Sequence, residues 1–240
     1  EEYSYQVIRN LRDAIPEEDR VILYIRSDQD VSFDIPRNWR VKKLWAPRFW
    51  TQGRLSLEML FHPPDVLFVP AHTVPVIHPR KTVVTVHGLE YEMFPGAYSF
   101  WERLYMRLSI RFSVRVASLV IAVSENTKHD LMHLYGVPEE KISVVYEGVS
   151  ENFQFPISNF QSNSNSKIEK LKIDSKFKIQ NSKYLLFIGR LEERKNIVRI
   201  IEAFGILKEK YHIPHELVLA GKPGFGYEKI HFKIQNSKFK

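Results

Sequence analysis

Apolar residues along the chain form short, nearly continuous runs that are separated by longer stretches with helical spacing. Eight runs have the length of β-strands, and they cover residues 21–25, 41–45, 65–70, 82–87, 118–124, 142–148, 184–189 and 216–221. Strands of a parallel sheet that is covered on both faces read as near-continuous apolar runs, because neither face meets water. The pattern therefore predicts buried parallel strands.

The stretches between these runs carry helix signals. Residues 1–11, 99–117 and 125–135 have apolar positions at helical spacing, and a further helix-like pattern begins behind Asn196. Ser124 is placed to cap the helix at 125–135, Gly136 to end it and Pro138 to block its continuation. Strands that alternate with helices predict an α/β fold with doubly wound sheets and right-handed crossovers.

The pattern breaks after Gly148. Residues 158–166 are polar and of low complexity, and the segment Phe177–Lys183 recurs identically as Phe232–Lys238. We predict a first Rossmann-like domain at 1–155, a low-complexity insertion or linker at 156–183, a partial second domain at 184–231 and a repeat-like tail at 232–240. The second domain would contain two strands and one helix.

The amino-acid composition excludes several classes of protein. The chain has 240 residues, of which 44% are hydrophobic, and it contains no cysteine, which excludes disulfides and thiolate catalysis. No apolar run approaches the roughly 18 residues of a membrane-spanning helix, and no leader pattern is visible at residues 1–5. We therefore expect a cytoplasmic protein.

A net charge of +7 suggests an anionic partner, but an ordinary basic surface explains it equally well. Nucleic acid is the weakest partner, because no aromatic-interleaved basic motif or helix-turn-helix pattern accompanies the charge. The helix at 99–117 carries an arginine at every fourth position: Arg103, Arg107, Arg111 and Arg115. Such a face could contact an anionic membrane on the inner side of a cell, although a solvated face is the interpretation we favour.

The strand at 184–189 leads into a candidate anion site. The strand ends at Gly189, the cations Arg190 and Lys195 follow, and the N-terminus of a helix begins behind Asn196. Fixed positive charge and unsatisfied backbone N–H groups both favour a phosphate there. The alternative is a pair of surface cations in salt bridges with Glu192 and Glu193, and the spacing alone leaves both readings open.

Other candidates lie at the ends of strands. His87 stands at the carboxyl end of the predicted strand 82–87, and open α/β sheets bind ligands at the carboxyl ends of their strands. Gly148 and Gly221 close strands and would let the backbone approach a ligand, or they are simple turn glycines. His72 and His78 in a proline-rich loop are weaker candidates, and no histidine–carboxylate spacing suggests a metal site.

Five ordered segments together resemble glycosyltransferase family 4, the "group 1" class of retaining enzymes with two Rossmann-like domains in the GT-B arrangement. These segments are Thr82–Gly88, Ala122–Leu131, Tyr135–Ile142, Phe187–Asn196 and Leu217–Lys222. The resemblance implies that Arg190 and Lys195 hold the diphosphate of a nucleotide sugar and that His87 lies beside the transferred sugar. It also assigns Gly148, Gly189 and Gly221 to the backbone of the donor site.

The implied reaction is a hexosyl transfer, with retention, from a nucleotide sugar to a glycan or lipid-linked acceptor in polysaccharide biosynthesis. A GDP-mannose-like donor is one candidate, and no metal or other cofactor is expected. The chain lacks the family's opening strand with its glycine-rich turn and the Glu-x7-Glu motif. We therefore expect a fragment truncated at both ends, either active as a transferase or limited to binding nucleoside diphosphates.

Overall fold

A computed structural model describes residues 2–46, 48–148 and 183–237. The chain divides into two compact units, residues 1–153 and 154–240, which are treated separately below. The first repeat copy and almost all of the predicted insertion at 156–183 lie outside the described residues.

Unit 1 contains two parallel sheets. The smaller pairs β1 (Val21–Arg26) with β2 (Trp39–Leu44), and the larger has the order β3-β4-β5-β6. Its strands are β3 (Val66–Val69), β4 (Lys81–Val86), β5 (Leu119–Ala122) and β6 (Ile142–Val144). Each strand lies within or beside its predicted range, which confirms the α/β class and the parallel pairing.

Five α-helices accompany these strands: α1 (Glu2–Leu11), α2 (Ser56–Phe61), α3 (Glu90–Met93), α4 (Phe100–Val116) and α5 (Glu125–Tyr135). Sequence signals set the ends of the last two. Ser99 and Glu102 form a reciprocal capping box before α4. The Ser124 hydroxyl accepts a hydrogen bond from the Thr127 amide before α5, and Gly136 ends α5 in the left-handed conformation at φ 64°.

The core of unit 1 lies between the larger sheet and helices α4 and α5. Val84, Val86 and Val120 of the central strands are fully buried, and they pack with Ile110 of α4 and Leu131 of α5. Buried branched residues on adjacent parallel strands explain the continuous apolar runs of the sequence.

One predicted strand is too long. The run at 142–148 predicted a strand that closes at Gly148, but β6 ends at Val144. Its last sheet bond runs from the Val145 amide to the Ala122 carbonyl, where β5 also ends, so the chain beyond has no neighbouring strand to pair with. Gly148 therefore does not close a strand, and a Cβ atom there would meet nothing within 4 Å.

Unit 2 has a two-stranded parallel sheet of β7 (Tyr184–Ile188) and β8 (Glu216–Ala220), with helices α6 (Ile197–Tyr211) and α7 (Tyr227–Gln235). Ile197, Ile201 and Ile230 form its core against residues of both strands. The prediction of a single helix in this domain was wrong. The second repeat copy continues α7, because Ile230 anchors the helix in the core and its following turn includes Phe232.

Parallel sheets with covering helices occur in both units, which is consistent with a GT-B type protein in which the second Rossmann-like domain is represented in part. None of the helices within residues 2–237 that the structure describes is both long and apolar enough to cross a bilayer.

Candidate functional site

His87 lies at the carboxyl edge of the larger sheet, immediately after β4. Its Nε2 atom is 3.4 Å from the carbonyl oxygen of Pro70, which follows β3, and its Nδ1 atom is 3.2 Å from Glu147 Oε1, which follows β6. Both neighbours accept hydrogen bonds, so a neutral imidazole can donate to one of them at a time. Three strand ends thus converge on one ring.

The main chain and ring face of His87 are also held in place. The backbone amide of His87 points at His72 Nδ1 at 3.4 Å. The Tyr3 ring contacts the imidazole ring of His87 edge-on, with ring centroids 4.5 Å apart. Burial, followed by the proximity of His87, lowers the pKa of His72. A neutral His72 is the form that can accept from an amide, so the pKa shift and the hydrogen bond agree.

The second predicted site forms where β7 and β8 end in unit 2. Gly189 has a φ of 154°, and its amide donates to the Ala220 carbonyl at 2.9 Å. A Cβ atom at Gly221 would lie 1.7 Å from the Gly189 carbonyl oxygen. Two backbones approach so closely here that position 221 admits only glycine, whereas Gly148 is under no such constraint.

Arg190 and Lys195 belong to the loop that joins β7 to α6. The Arg190 side chain is 67% exposed, and its Nε atom is 3.8 Å from Glu192 Oε2, beyond hydrogen-bond distance. Lys195 is exposed, and its side chain makes no ion pair with any carboxylate in the described ranges. Both predicted cations therefore present their charge to solvent.

The neighbouring glutamates are occupied by other cations. Arg194 Nε lies 2.6 Å from Oε1 of the buried Glu192, and Lys229 Nζ lies 2.7 Å from Glu193 Oε1. The sequence left open that Glu192 and Glu193 neutralise Arg190 and Lys195. Only the long contact between Arg190 and Glu192 supports that alternative. Sequence reasoning missed Arg194 and Lys229, since adjacency in the chain does not show which cation turns toward a carboxylate.

Helix α6 adds to the positive potential of this loop. Asn196 precedes it in the left-handed conformation at φ 55°, and its side chain makes no capping bond. The first amides of a helix have no partner within the helix, and they carry the positive end of its dipole. The loop thus combines two exposed cations, a close backbone approach and a 15-residue helix that starts beside Lys195.

The four arginines of α4 do not form one solvated face. Arg107 binds Glu92 through both Nε, at 2.7 Å, and a terminal nitrogen, and Arg103 lies 3.9 Å from the same carboxylate. Glu92 also accepts from the Tyr135 hydroxyl at 3.0 Å. Arg111 and Arg115 are exposed, as a solvated face requires, whereas Arg103 and Arg107 are 35% exposed because α4 turns them toward Glu92 of α3.

Several neighbours of the predicted residues were not found from sequence. Glu147 and Tyr3 reach His87 from positions 60 and 84 residues away, and His72 had been ranked low. The signal for His72 was its place just after the predicted strand at 65–70, and the signal for Glu147 was its place at the end of the predicted strand at 142–148. Among the residues that the structure describes, no group of three or more His, Asp or Glu side chains could hold a metal ion.

The family model described as Glycosyltransferase Family 4 matches residues 4–153, and the model for Glycosyl transferases group 1 matches residues 169–237. The second match begins inside the segment predicted as an insertion and includes most of the second repeat copy. His87 thus falls in the first match, and Arg190 and Lys195 fall in the second.

Three curated proteins that are named as glycosyltransferases are similar to this chain. The O-antigen chain mannosyltransferase RfbU of Salmonella typhimurium is 24% identical over 79% of this chain and 44% of its own length. The O-antigen chain mannosyltransferase B of Escherichia coli is 25% identical over 61% of this chain and 36% of its own length. The capsular polysaccharide biosynthesis glycosyltransferase CapM of Staphylococcus aureus is 29% identical over 53% of this chain and 31% of its own length.

The chain spans less than half of the length of these three relatives. The first family model nevertheless covers residues 4–153, more than half of the 240 residues, and includes the polar edge around His87. The chain belongs to glycosyltransferase family 4.

Proposed function

We propose that the chain is the part of a retaining hexosyltransferase that binds a nucleotide sugar through the diphosphate and supports transfer to a glycan or lipid-linked acceptor. The observation that carries the proposal is the pair of exposed cations, Arg190 and Lys195, beside the close contact of Gly189 and Gly221. The relatives named as mannosyltransferases favour a GDP-mannose-like donor.

The cations act on the leaving group. In the transfer, an acceptor hydroxyl oxygen forms a bond to the anomeric carbon, and the bond from that carbon to the diphosphate oxygen breaks. The bonding electrons leave with the nucleoside diphosphate, and the acceptor's proton passes to the departing diphosphate or to solvent. A guanidinium, an ammonium and backbone amides already in place stabilise the negative charge that grows on the diphosphate.

His87 has a different role in the proposal. Its ring lies at the carboxyl edge of the sheet, where open α/β folds receive ligands, and the contacts to Pro70, Glu147 and Tyr3 hold its orientation. We assign it to the hydroxyl groups of the transferred sugar. The ring can exchange one of its two hydrogen bonds for a bond to the sugar.

The remaining parts of the proposal concern setting and partners. The names of the relatives place them in O-antigen and capsular polysaccharide synthesis. We propose that this chain acts in the cytoplasm on a similar polysaccharide or glycolipid acceptor.

The cations of the donor loop serve the role that a metal has in other transferases, so transfer should persist in EDTA. Loss of transfer in EDTA that Mg²⁺ or Mn²⁺ restores would contradict this part.

The proposal is tested by incubating the full chain with a panel of radiolabelled nucleotide sugars and lipid-linked or oligosaccharide acceptors. Transfer from one donor, together with GDP or UDP binding by calorimetry, supports the whole proposal. Binding without transfer rejects the transferase role for this chain and leaves nucleotide binding alone. The substitution His87→Ala should lower transfer while leaving the affinity for the free nucleoside diphosphate unchanged.

A further inference from the structure

A second histidine, His72, lies beside His87 at the carboxyl edge of the larger sheet in unit 1. It belongs to the loop that follows β3, whereas His87 follows β4. The two imidazole rings meet edge-on, with centroids 5.1 Å apart. The two ring nitrogens of His72 have different surroundings, so they can make different contacts.

The Nδ1 atom of His72 is occupied by the protein. The backbone amide of His87 lies 3.4 Å from it. An amide N–H can only donate, so Nδ1 must be the unprotonated acceptor of this hydrogen bond. A neutral imidazole then carries its proton on the other nitrogen. The main chain of β4 thereby selects the tautomer of His72 that has an N–H group at Nε2.

The surroundings of His72 also favour a neutral ring. Burial, followed by the proximity of His87, lowers the pKa of His72, whereas the carboxylate of Glu90 acts in the opposite direction. A protonated ring would donate from both nitrogens and would lose the hydrogen bond from the His87 amide. Geometry and electrostatics therefore favour the same neutral tautomer.

The Nε2 atom of His72 is available to a ligand. No hydrogen bond from the described residues reaches this atom, and the protein does not enclose it. Its direction is nevertheless fixed, because the ring is held at Nδ1 and packs against the ring of His87. The sheet edge thus presents one oriented, uncharged N–H donor.

An uncharged donor at this edge suits a saccharide hydroxyl group. A phosphate is bound more strongly by cations, and the two cations proposed for the diphosphate belong to unit 2. The acceptor hydroxyl must approach the anomeric carbon of the transferred sugar. If His87 binds that sugar, the acceptor comes within reach of the ring 5.1 Å away.

We propose that the Nε2–H group of His72 donates a hydrogen bond to a hydroxyl oxygen of the saccharide acceptor. This role rests on the proposed function, because it takes from it the place of the transferred sugar beside His87. His72 gives up no proton in this contact, so it binds and orients the acceptor and takes no part in bond cleavage.

Two substitutions separate this donor from the contact with the His87 amide. His72→Gln keeps an N–H donor near the position of Nε2, whereas His72→Asn keeps only an acceptor near the position of Nδ1. We expect His72→Asn to raise the KM for the acceptor about five- to tenfold with little change in kcat, and His72→Gln to stay within about twofold of wild type. The opposite order would assign His72 to support of the His87 backbone alone.

A second measurement needs no turnover. Nitrogen-15 NMR of the full chain with labelled histidine should show His72 as the Nε2–H tautomer, assigned by comparison with His72→Gln. Addition of an α-linked mannobiose, an acceptor-like probe chosen from the names of the relatives, should shift this resonance. The Nδ1–H tautomer, or no shift on titration with the disaccharide, would overturn the role of His72.

These results are distinguishable from failure of the proposed function. If the wild-type chain transfers sugar and His72→Asn leaves the acceptor KM unchanged, the role of His72 is rejected and the transferase stands. If the wild-type chain transfers no sugar, the transferase is rejected, and the NMR titration still decides whether His72 binds a saccharide. Circular dichroism establishes that both variants are folded.

Discussion

Two regions of this protein set arginine or lysine beside glutamate, and they use the charges differently. On α4, Arg103 and Arg107 converge on the partly buried Glu92, whose carboxylate also accepts from Tyr135. In the loop from β7 to α6, Arg194 and Lys229 occupy the two glutamates, which leaves Lys195 exposed. The first arrangement stabilises the fold, and the second leaves charge available for a ligand.

The difference teaches that a charge pattern in sequence does not show where each charge is neutralised. The partners of Glu92 lie 11 and 15 residues further along the chain, and that of Glu193 lies 36 residues away. Free cations are what remains after such internal pairs have formed. The predictions below alter one region or the other and begin with the largest expected effect.

The close contact at the donor loop is tested by Gly221→Ala. The new Cβ would lie 1.7 Å from the Gly189 carbonyl oxygen, so β7 or β8 must shift. We expect the free energy of unfolding of unit 2 to fall by about 3 kcal/mol, measured by urea denaturation with circular dichroism and Tyr fluorescence. The control Gly148→Ala lies in unit 1, and its Cβ would meet nothing within 4 Å; it should change the free energy of unfolding of unit 1 by less than about 0.5 kcal/mol.

The paired region is tested by Glu92→Gln. This change leaves Arg107 and Arg103 without their counter-charge, so we expect the Tm of unit 1 to fall by several degrees. The matched control is Glu139→Gln, which breaks the exposed pair with Lys128 and should lower the Tm much less, because exposed ion pairs contribute little. Equal shifts in scanning calorimetry would mean that Glu92 is no more important than a surface charge.

Acid should weaken the same pair. The hydrogen bonds from Arg107, followed by that from Tyr135, lower the pKa of Glu92 below its usual range. A lowered folded-state pKa stabilises the native protein above the unfolded pKa, and the contribution is lost as the pH falls through the folded value. In urea titrations between about pH 6 and pH 3, the wild-type chain should therefore lose more stability than Glu92→Gln. Parallel curves would contradict the assignment.

The two donor-loop cations should differ in their contributions. Arg190 has a long contact with Glu192 at 3.8 Å, whereas Lys195 has no ion-pair partner within the described residues. We therefore expect Lys195→Ala to weaken GDP or UDP binding about tenfold or more and Arg190→Ala somewhat less. Calorimetry on both single variants measures the order, and a larger effect at Arg190 would show that Glu192 releases it when a phosphate binds.

The sequence predicted the parts of the fold that depend on local patterns. The apolar runs located the eight strands that the described residues form, and the Ser124 cap and Gly136 turn gave both ends of α5. It failed where the outcome depends on distant partners. The strand at 142–148 stops at Val144 because the neighbouring strand β5 has already ended, and α7 extends into the repeat copy as far as Gln235 because Ile230 is buried in the core of unit 2.

The residues of the candidate site likewise fall into those that the sequence predicted and those that it did not. His87, Gly189 and Gly221 were found because each is the last residue of a predicted strand, and in the structure each comes directly after a strand. The pairing of Glu192 with Arg194, and the contacts of His72 and Glu147 with His87, depend on tertiary packing and were not predictable from spacing. The roles of Arg190, Lys195 and His87 toward a nucleotide sugar stay predictions.

The most direct test of the central claim is calorimetric titration of GDP and UDP into the wild-type chain, Arg190→Ala/Lys195→Ala and the control Arg37→Ala/Lys210→Ala. The control removes one arginine and one lysine from exposed positions outside the loop. We predict that the donor-loop variant binds at least about a hundredfold more weakly, whereas the control keeps wild-type affinity. Equal affinity in all three proteins would contradict the assignment of this loop to the donor diphosphate.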